Sequence, residues 1–184
     1  MRGQKMKSER GWSMLVAVTG TPGTGKTSAC ALLEGVAVID LRKLAEEHSE
    51  DFTYDEERSS LEVDPAILGG FIPPHKGTVV LEGHLSHLMD PELAIVLRCS
   101  PKVLRKRLEK RGWPAVKIQE NVEAEAVDVV LIDALESCDS VFEIDTTDME
   151  PRQVADAIAS IIDGERGKYR PGDIDWSGEV LDWY

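Results

Sequence analysis

The chain has 184 residues, of which 42% are hydrophobic and 30% charged, and its formal net charge at pH 7 is -13. This length and composition are typical of one soluble globular domain, and they exclude a disordered chain. The excess of acidic residues argues against nonspecific binding of nucleic acid by the whole surface. We therefore expect no direct nonspecific binding of nucleic acid. The acidic surface suits solubility, a salty cytoplasm or a basic partner.

The three cysteines, Cys30, Cys99 and Cys138, are isolated and show no CxxC spacing. An odd number of separated cysteines favours reduced, buried side chains over disulfides or a metal site. The apolar run at 14–18 is too short for the core of a signal peptide. No run approaches the ~18 apolar residues of a membrane-spanning helix. We therefore expect a cytoplasmic protein without a membrane partner.

Strand and helix patterns alternate along most of the chain. Continuous apolar runs, typical of strands covered on both faces, predict strands at 14–19, 36–39, 78–81, 93–97 and 141–144. Helices are predicted at 26–33, 41–48, 65–71, 101–110 and 151–162, with one long helix whose apolar face is Ile118, Val122, Ala126, Val129 and Ile132. This alternation predicts an α/β fold with a doubly wound parallel five-stranded sheet and helices on both faces.

Three segments fall outside this alternation. Residues 1–13 are predicted to be a flexible N-terminal extension, and the charged segment 49–64 has no periodicity and is predicted to be a loop or an arm. The tail at 164–184 is rich in Gly, Asp and Trp. Its aromatic residues are either docked on the body or offered to a partner. One folded domain is therefore expected at 14–163.

The segment 20–27, Gly-Thr-Pro-Gly-Thr-Gly-Lys-Thr, matches the pattern G-x-x-x-x-G-K-[ST] between a predicted strand and a predicted helix. Gly23 and Gly25 permit backbone angles that turn successive N–H groups inward and let a phosphate approach closely. The helix that starts near Lys26 points its positive dipole end at the same place. Lys26 would bridge the β- and γ-phosphates and the Thr27 hydroxyl would hold Mg²⁺. The alternative is a glycine-rich turn with no ligand, but the context favours a nucleoside triphosphate site.

Glu82 ends the predicted strand 78–81 at the position where P-loop proteins carry the carboxylate that orders water around Mg²⁺. His84 lies two residues further on, where it would approach the γ-phosphate or position a water. The alternatives are an ordinary acid at a strand end and a surface histidine. For His87, three residues beyond His84, a functional and a structural role are equally compatible with the sequence.

Basic residues concentrate between Arg98 and Lys117, where eight stand against one acid, so the window carries +7 and the rest of the chain -20. A solvated helix face is the usual explanation of a charge run. This surplus is of one sign and ends in a Gly-Trp-Pro break. Phosphoryl transfer needs cations on a segment that closes over the site and excludes water. A lid hinged around 111–117 would supply them, with Arg111 as the residue that reaches the phosphates.

Taken together, these segments resemble a known family. The matching pieces are TGTPGTGKT at 19–27, YDEE at 54–57, EGH at 82–84, and the run from Leu97 through LEKRGW at 108–113 to KI at 117–118 and ENVEAE at 120–125. They are similar to the small, atypical adenylate kinases that also act as ATPase factors in small ribosomal subunit maturation, in archaea and in eukaryotic nuclei. The P-loop is generic, whereas the LEKRGW run at this distance from it is far more specific.

The resemblance implies a P-loop NTPase core with an arm that binds a nucleoside monophosphate (NMP) at about 36–64 and a short lid at about 110–120. It implies transfer of the γ-phosphate of ATP to AMP or another NMP, together with ATP hydrolysis. It also implies binding of a basic small-subunit ribosomal protein, which the acidic surface would suit. Two alternatives stay open: an ATPase-driven ribosome assembly factor with incidental kinase activity, and a P-loop kinase of another small acceptor.

The expected cofactors are ATP and Mg²⁺, and the expected site residues are as follows. Catalytic residues are Lys26, His84 and Arg111; ATP ligands are Gly23, Thr24, Gly25, Lys26, Thr27, Ser28 and Arg111; metal ligands are Thr27 and Glu82. Two positions depart from the family pattern, because Glu82 stands where an Asp is common and Glu46 where relatives tend to carry a basic residue. Arg42 and Arg58 are therefore the candidates for contacting the acceptor phosphate.

Overall fold

Five parallel strands form the central sheet. The computed structural model describes residues 12–55, 60–74 and 76–181, and of 12, 13 and 60 only the backbone. The strands in this part of the chain are β1 (Trp12–Thr19), β2 (Ala37–Asp40), β3 (Thr53–Asp55), β4 (Ser60–Glu62), β5 (Gly77–Glu82), β6 (Leu93–Arg98) and β7 (Val141–Asp145). The main sheet has the order β2-β5-β1-β6-β7, with every neighbouring pair parallel, while β3 and β4 form a separate antiparallel hairpin.

The helices of the described chain lie between and around these strands. They are α1 (Lys26–Cys30), α2 (Leu41–Glu47), α3 (Pro65–Phe71), α4 (Pro101–Lys110), α5 (Ala115–Ala126), α6 (Val129–Ser137), α7 (Pro151–Ile162) and α8 (Ser177–Leu181). Polar side chains cap several of their N-termini. Asp40 accepts hydrogen bonds from the amides of Arg42 and Lys43, and Asp64 accepts from those of Ala66 and Ile67.

Apolar packing covers both faces of the sheet, as the continuous apolar runs predict. On one face, β1, β5 and β6 pack against α1 and α7. On the other face, one cluster joins β1 and β5 to α2 and α3, and a second joins β1 and β6 to α6. Helices α4 and α5 pack together through Leu104, Leu108, Ile118 and Val122. The predicted doubly wound α/β fold is therefore confirmed.

The single long helix predicted across 118–132 is wrong. Helix α5 ends at Ala126, and Asp128 adopts a left-handed backbone conformation with φ 60° before α6 begins. Helix α6 buries Leu131 and Ala134, whereas Val129 and Ile132 are about half exposed. The cause of the break is a tertiary contact. The Arg98 side chain donates to the carboxylates of Glu125, before the break, and Asp128, after it.

Smaller differences concern the ends of the chain and the arm. Strand β1 begins two residues earlier than predicted, at Trp12, while residues 1–11 lie outside the described part. Segment 49–64 contains a turn of 3-10 helix and the β3–β4 hairpin. The tail contains the short α8 and contacts the body through Ser100, Arg98 and Glu143, whereas Trp183 and Tyr184 lie outside the described residues.

Among the described helices, none has the length and apolar character needed to cross a membrane.

The three thiols provide a test of this packing. Burial raises the pKa of Cys30 and of Cys99 to about 12 and that of Cys138 to about 11. Because the thiolate is the reactive form, we expect very slow reaction of the native protein with a disulfide reagent such as DTNB at pH 8. Three thiols should react at once in guanidinium chloride. Rapid labelling of Cys30 or Cys99 in the native protein would contradict the packing.

Candidate functional site

The loop between β1 and α1 runs along the C-terminal edge of the sheet. Gly20, Gly23 and Gly25 have φ angles of 135°, 99° and 103°, a region that residues with a Cβ atom rarely adopt. Gly25 is the N-cap of α1, so the first N–H groups of that helix face the loop. A series of amides and a helix N-terminus at one place is the geometry that binds phosphate in proteins.

The glycines of this loop serve different purposes. A Cβ atom on Gly20 would lie 2.4 Å from the Leu97 carbonyl oxygen, and one on Gly23 would lie 2.7 Å from Leu104 Cδ1. These two glycines therefore let the loop pack against β6 and α4. A Cβ atom on Gly25 would meet no atom within 4 Å, so the open approach for a ligand is at this third glycine.

Lys26 is buried under the loop. Its Nζ donates hydrogen bonds to the carbonyl oxygens of Gly20 at 2.6 Å and Thr21 at 3.1 Å. Burial lowers its pKa to about 8, and the carboxylates of Glu82 and Glu125 oppose this effect. Its ammonium is thus mostly charged at neutral pH and fixed beside the amides of the loop.

Two carboxylates meet at the end of β2 and β5. Asp40 and Glu82 are directly paired in the sheet, and Thr27 Oγ1 donates to Glu82 Oε1 at 3.0 Å. Burial, together with the neighbouring charge of Asp40, raises the pKa of Glu82. Hydroxyl and carboxylate oxygens of this kind are the donors that Mg²⁺ prefers, so Thr27 and Glu82 fit the ion chemically. Asp40 was missed at the sequence level, although it ends the second apolar run as Glu82 ends the third.

The two histidines after β5 differ in their surroundings. His84 is exposed in the cleft beside Lys26, and partial desolvation, with the charges of Lys26 and His87 as smaller effects, lowers its pKa. His87 is 2% exposed, with Nδ1 3.0 Å from Thr19 Oγ1 and Nε2 2.9 Å from Asp133 Oδ2. His87 therefore links β1 to α6 and has a structural role, while His84 faces the candidate site.

The basic side chains of 98–117 do not all lie on one surface. Arg98 is 1% exposed and bonded to three carboxylates. Arg105 donates to Gln119, and Arg107 donates to the carbonyl oxygens of Thr146 and Thr147. Lys110 and Arg111 stand at the end of α4, exposed and beside the loop. The positive surplus of this run is therefore not all available to a ligand, because Arg98 is buried and its charge is balanced by carboxylate partners.

Two hollows open on either side of the loop. The first, of about 530 Å³, lies between the loop, the end of α4 and the start of α7. The second, of about 1060 Å³, lies between the loop and the segment 40–68. The first includes Gly23, Thr24, Gly25, Ser28 and Arg111, and the second includes Gly23, Gly25, Lys26, Thr27, Ser28, Glu82, His84 and Arg111. The fold thus places all the residues that were expected to be catalytic, to bind ATP or to hold the metal along the walls of these two hollows.

Other residues around the hollows were not assigned from the sequence. Thr146 and Met149 line the first hollow, and Tyr54, Leu61 and Leu68 line the second. Thr146 and Met149 belong to the loop after β7, Tyr54 and Leu61 to the β3–β4 hairpin, and Leu68 to α3. Arg42 lies at the edge of the second hollow, 3.6 Å from Glu46 at closest nitrogen–oxygen approach, whereas Arg58 lies outside the described residues.

A parallel sheet of this order, with a glycine-rich loop at its C-terminal edge and a carboxylate on the adjacent strand, defines a P-loop nucleotide-binding protein of the small-kinase class. Similarity to known proteins identifies its family. The family described as an AAA domain matches residues 16–128. A protein of Archaeoglobus fulgidus named "Putative adenylate kinase" is 47% identical over 92% of this chain and 95% of its own length. Proteins of the same name from Natronomonas pharaonis and Methanosarcina acetivorans are 48% and 39% identical over 83% and 91% of this chain, and 92% and 100% of their own lengths.

Solved structures agree on the fold. A shikimate kinase from Acinetobacter baumannii has a TM-score of 0.61 at 15% identity, covering 83% of this chain and 94% of that protein. A deoxyadenosine kinase from M. mycoides has a TM-score of 0.51 at 14% identity, covering 82% and 100%. The chain belongs to the family of the archaeal adenylate kinases named above, and is a phosphotransferase of the P-loop class.

The contact of Gly20 with β6 allows a direct test. Gly20→Ala places a Cβ atom against the Leu97 carbonyl oxygen in a backbone region that alanine avoids. We expect a loss of about 3 kcal/mol or more in the free energy of unfolding, measured by urea denaturation. The control is Gly70→Ala, at a helical position with nothing within 4 Å. This change should be neutral or stabilising by up to about 1 kcal/mol. Equal stability of both variants would show that the loop does not pack as described.

Proposed function

We propose that the protein transfers the γ-phosphate of ATP to AMP or another nucleoside monophosphate. The observation that carries this proposal is the placement of the loop between two hollows that share Gly25, Ser28 and Arg111. Transfer between two bound nucleotides needs two adjoining sites with cations where they meet. A simple nucleotide-binding module would need one hollow.

On the donor side, the triphosphate lies along the amides of 23–28 with Lys26 beside it. The first hollow, next to Arg107 and Met149, then receives the nucleoside. Arg107 is fixed in direction by its bonds to the carbonyls of Thr146 and Thr147. Thr27 and Glu82 would hold Mg²⁺, whose charge would offset that of the phosphates.

On the acceptor side, residues from 40–54 and 61–63 line the second hollow, and the segment 36–64 acts as the NMP-binding arm. Leu61 and Val63 present apolar surface and Tyr54 an aromatic ring, which suit a nucleobase. Arg42 lies in the same hollow and is the candidate ligand of the acceptor phosphate. The lid at about 110–120 would bring Arg111 over both nucleotides.

The chemistry at the centre is electrostatic. Charge spreads over the transferred phosphoryl group, and Lys26 and Arg111 supply positive charge from below and above. The acceptor phosphate is itself a good nucleophile, so the chain needs no strong base for transfer. A neutral His84 beside this position can accept a proton from a water, which is what hydrolysis requires.

The same His84 favours a second candidate function: ATP hydrolysis that times release from a basic partner, such as a small-subunit ribosomal protein. The net charge of -13 would suit such a partner. The kinase would then be an incidental activity of the same site.

One assay distinguishes these functions. ADP formation from ATP is measured alone, with each monophosphate, and with a purified basic ribosomal protein. Strong dependence on AMP or another monophosphate supports the kinase. Hydrolysis without a monophosphate, stimulated by the basic protein, supports the second function. A rate that neither addition changes would contradict both and leave another small acceptor as the substrate.

Lys26→Met removes the ammonium and keeps most of the buried stem. Because this cation is held at the loop by two carbonyls, we expect kcat/KM for ATP to fall at least about 100-fold. The control is Lys106→Met, an exposed position on α4, which should leave kcat/KM unchanged. Wild-type turnover of Lys26→Met would place the reaction elsewhere.

Arg111→Ala separates catalysis from binding. Since the lid cation would contact the phosphates mainly in the transition state, kcat should fall about 100-fold while the KM for ATP changes less than about threefold. Arg152→Ala, a surface arginine paired with Glu34 and Asp156, serves as the matched control. If kcat is unchanged, Arg111 has no part in the mechanism.

A further inference from the structure

A buried charge cluster lies behind the phosphate-binding loop. Arg98, the last residue of strand β6, is 1% exposed. Its Nε donates to Glu125 Oε1 at 2.8 Å, its Nη1 to Glu143 Oε2 at 3.2 Å, and its Nη2 to Asp128 Oδ1. Glu125 and Glu143 are 2% and 3% exposed. A buried carboxylate is stable only where its oxygens accept hydrogen bonds. Each oxygen of Glu125 and Glu143 has such a donor.

One end of the cluster reaches the loop itself. Glu125 Oε2 accepts the hydroxyl of Thr21 at 2.5 Å, while Oε1 accepts the amide of Cys99 at 3.1 Å as well as Arg98. Thr21 is the second residue of the loop, and its carbonyl oxygen accepts from Lys26 Nζ and Thr24 Oγ1. Glu125 therefore binds the side chain of Thr21, and the backbone carbonyl of the same Thr21 binds Lys26.

The other end of the cluster reaches the C-terminal segment. Glu143 Oε1 accepts the amides of Gly172, Asp173 and Ile174 at 2.8, 3.1 and 3.2 Å. The Trp176 ring lies 5.9 Å from the Arg98 guanidinium carbon. The segment 172–176 thus supplies the donors for one Glu143 oxygen and lies over the cluster.

We propose that Glu125 is a positioning residue for the phosphate-binding loop, and that Arg98, Glu143 and the segment 172–176 hold it in place. This inference rests on the proposed ATP site. The cluster joins α5, β6, β7 and the tail to a loop residue 104 positions away from Glu125. A loop held in its binding shape before ATP arrives loses less conformational entropy on binding. The effect should therefore appear in ATP affinity more than in kcat.

Thr21→Val tests the loop end of the cluster, because valine has the shape of threonine without the hydroxyl. We expect the Kd for ATP, measured by fluorescence or calorimetric titration without acceptor, to rise about tenfold, the scale of one hydrogen bond to a charged group. The kcat at saturating ATP should stay within about twofold. The Thr21→Ser variant keeps the hydroxyl and should bind ATP with wild-type affinity.

Glu143→Gln tests the tail end within the full chain. Its expected effect is a smaller rise in the Kd for ATP, of about threefold, since it acts through Arg98. The double variant Thr21→Val/Glu143→Gln should raise Kd by less than the product of the two single effects, because both act on one network. Independent, multiplying effects would overturn the link between tail and loop.

The outcomes separate this inference from the proposed function. A lower melting temperature of Thr21→Val with wild-type ATP affinity would mean that the hydrogen bond serves stability alone, and would overturn the positioning role. Failure of Thr21→Ser to restore affinity would do the same. Failure of the wild-type protein to bind ATP at all would instead overturn the proposed function, and this inference with it.

Discussion

The salt bridge between Arg98 and Glu125 is the interaction on which the site region depends. It is fully buried, so its two charges lose their hydration and must find compensation from each other and from neighbouring dipoles. The structure supplies that compensation with Asp128, Glu143, the Thr21 hydroxyl and the backbone amides of Cys99 and of the tail. Loss of Arg98 would leave Glu125 and Glu143 buried without this counterion, and breaking a buried ion pair typically costs about 3–5 kcal/mol.

The buried cluster around this pair also explains three other features of the structure. The helix that would run through 118–132 breaks because Glu125 and Asp128 both turn toward Arg98. The C-terminal segment folds back on the sheet because Glu143 accepts its amides. The loop is braced because Thr21 reaches the same carboxylate. The break between α5 and α6, the position of the C-terminal segment and the bracing of the loop thus all depend on the same buried charges.

Charge is distributed unevenly around the site. The chain as a whole carries -13, yet Lys26, Lys110 and Arg111 border the loop, and Arg42 lies across the second hollow. Asp40 and Glu82 lie together at the ends of β2 and β5, where burial and, to a smaller extent, the charge of Asp40 raise the pKa of Glu82. A polyphosphate would be attracted by the first group, and a divalent cation by the second. Cations for the phosphates and carboxylates for a metal ion within one cleft are what a phosphoryl-transfer site requires.

The sequence alone determined the five strands of the main sheet, their alternation with helices, the doubly wound fold and the position of the loop. These depend on local properties: continuous apolar runs, glycines with special backbone angles, and a lysine next to a helix start. The tertiary structure alone decided which cations face the loop, where the helix after 118 breaks, and that Glu125, Asp40 and the tail belong to the site region. The physical reason is distance along the chain. Arg98 resembles its basic neighbours in sequence, but folding places it among carboxylates 27, 30 and 45 positions away, and no local pattern carries that information.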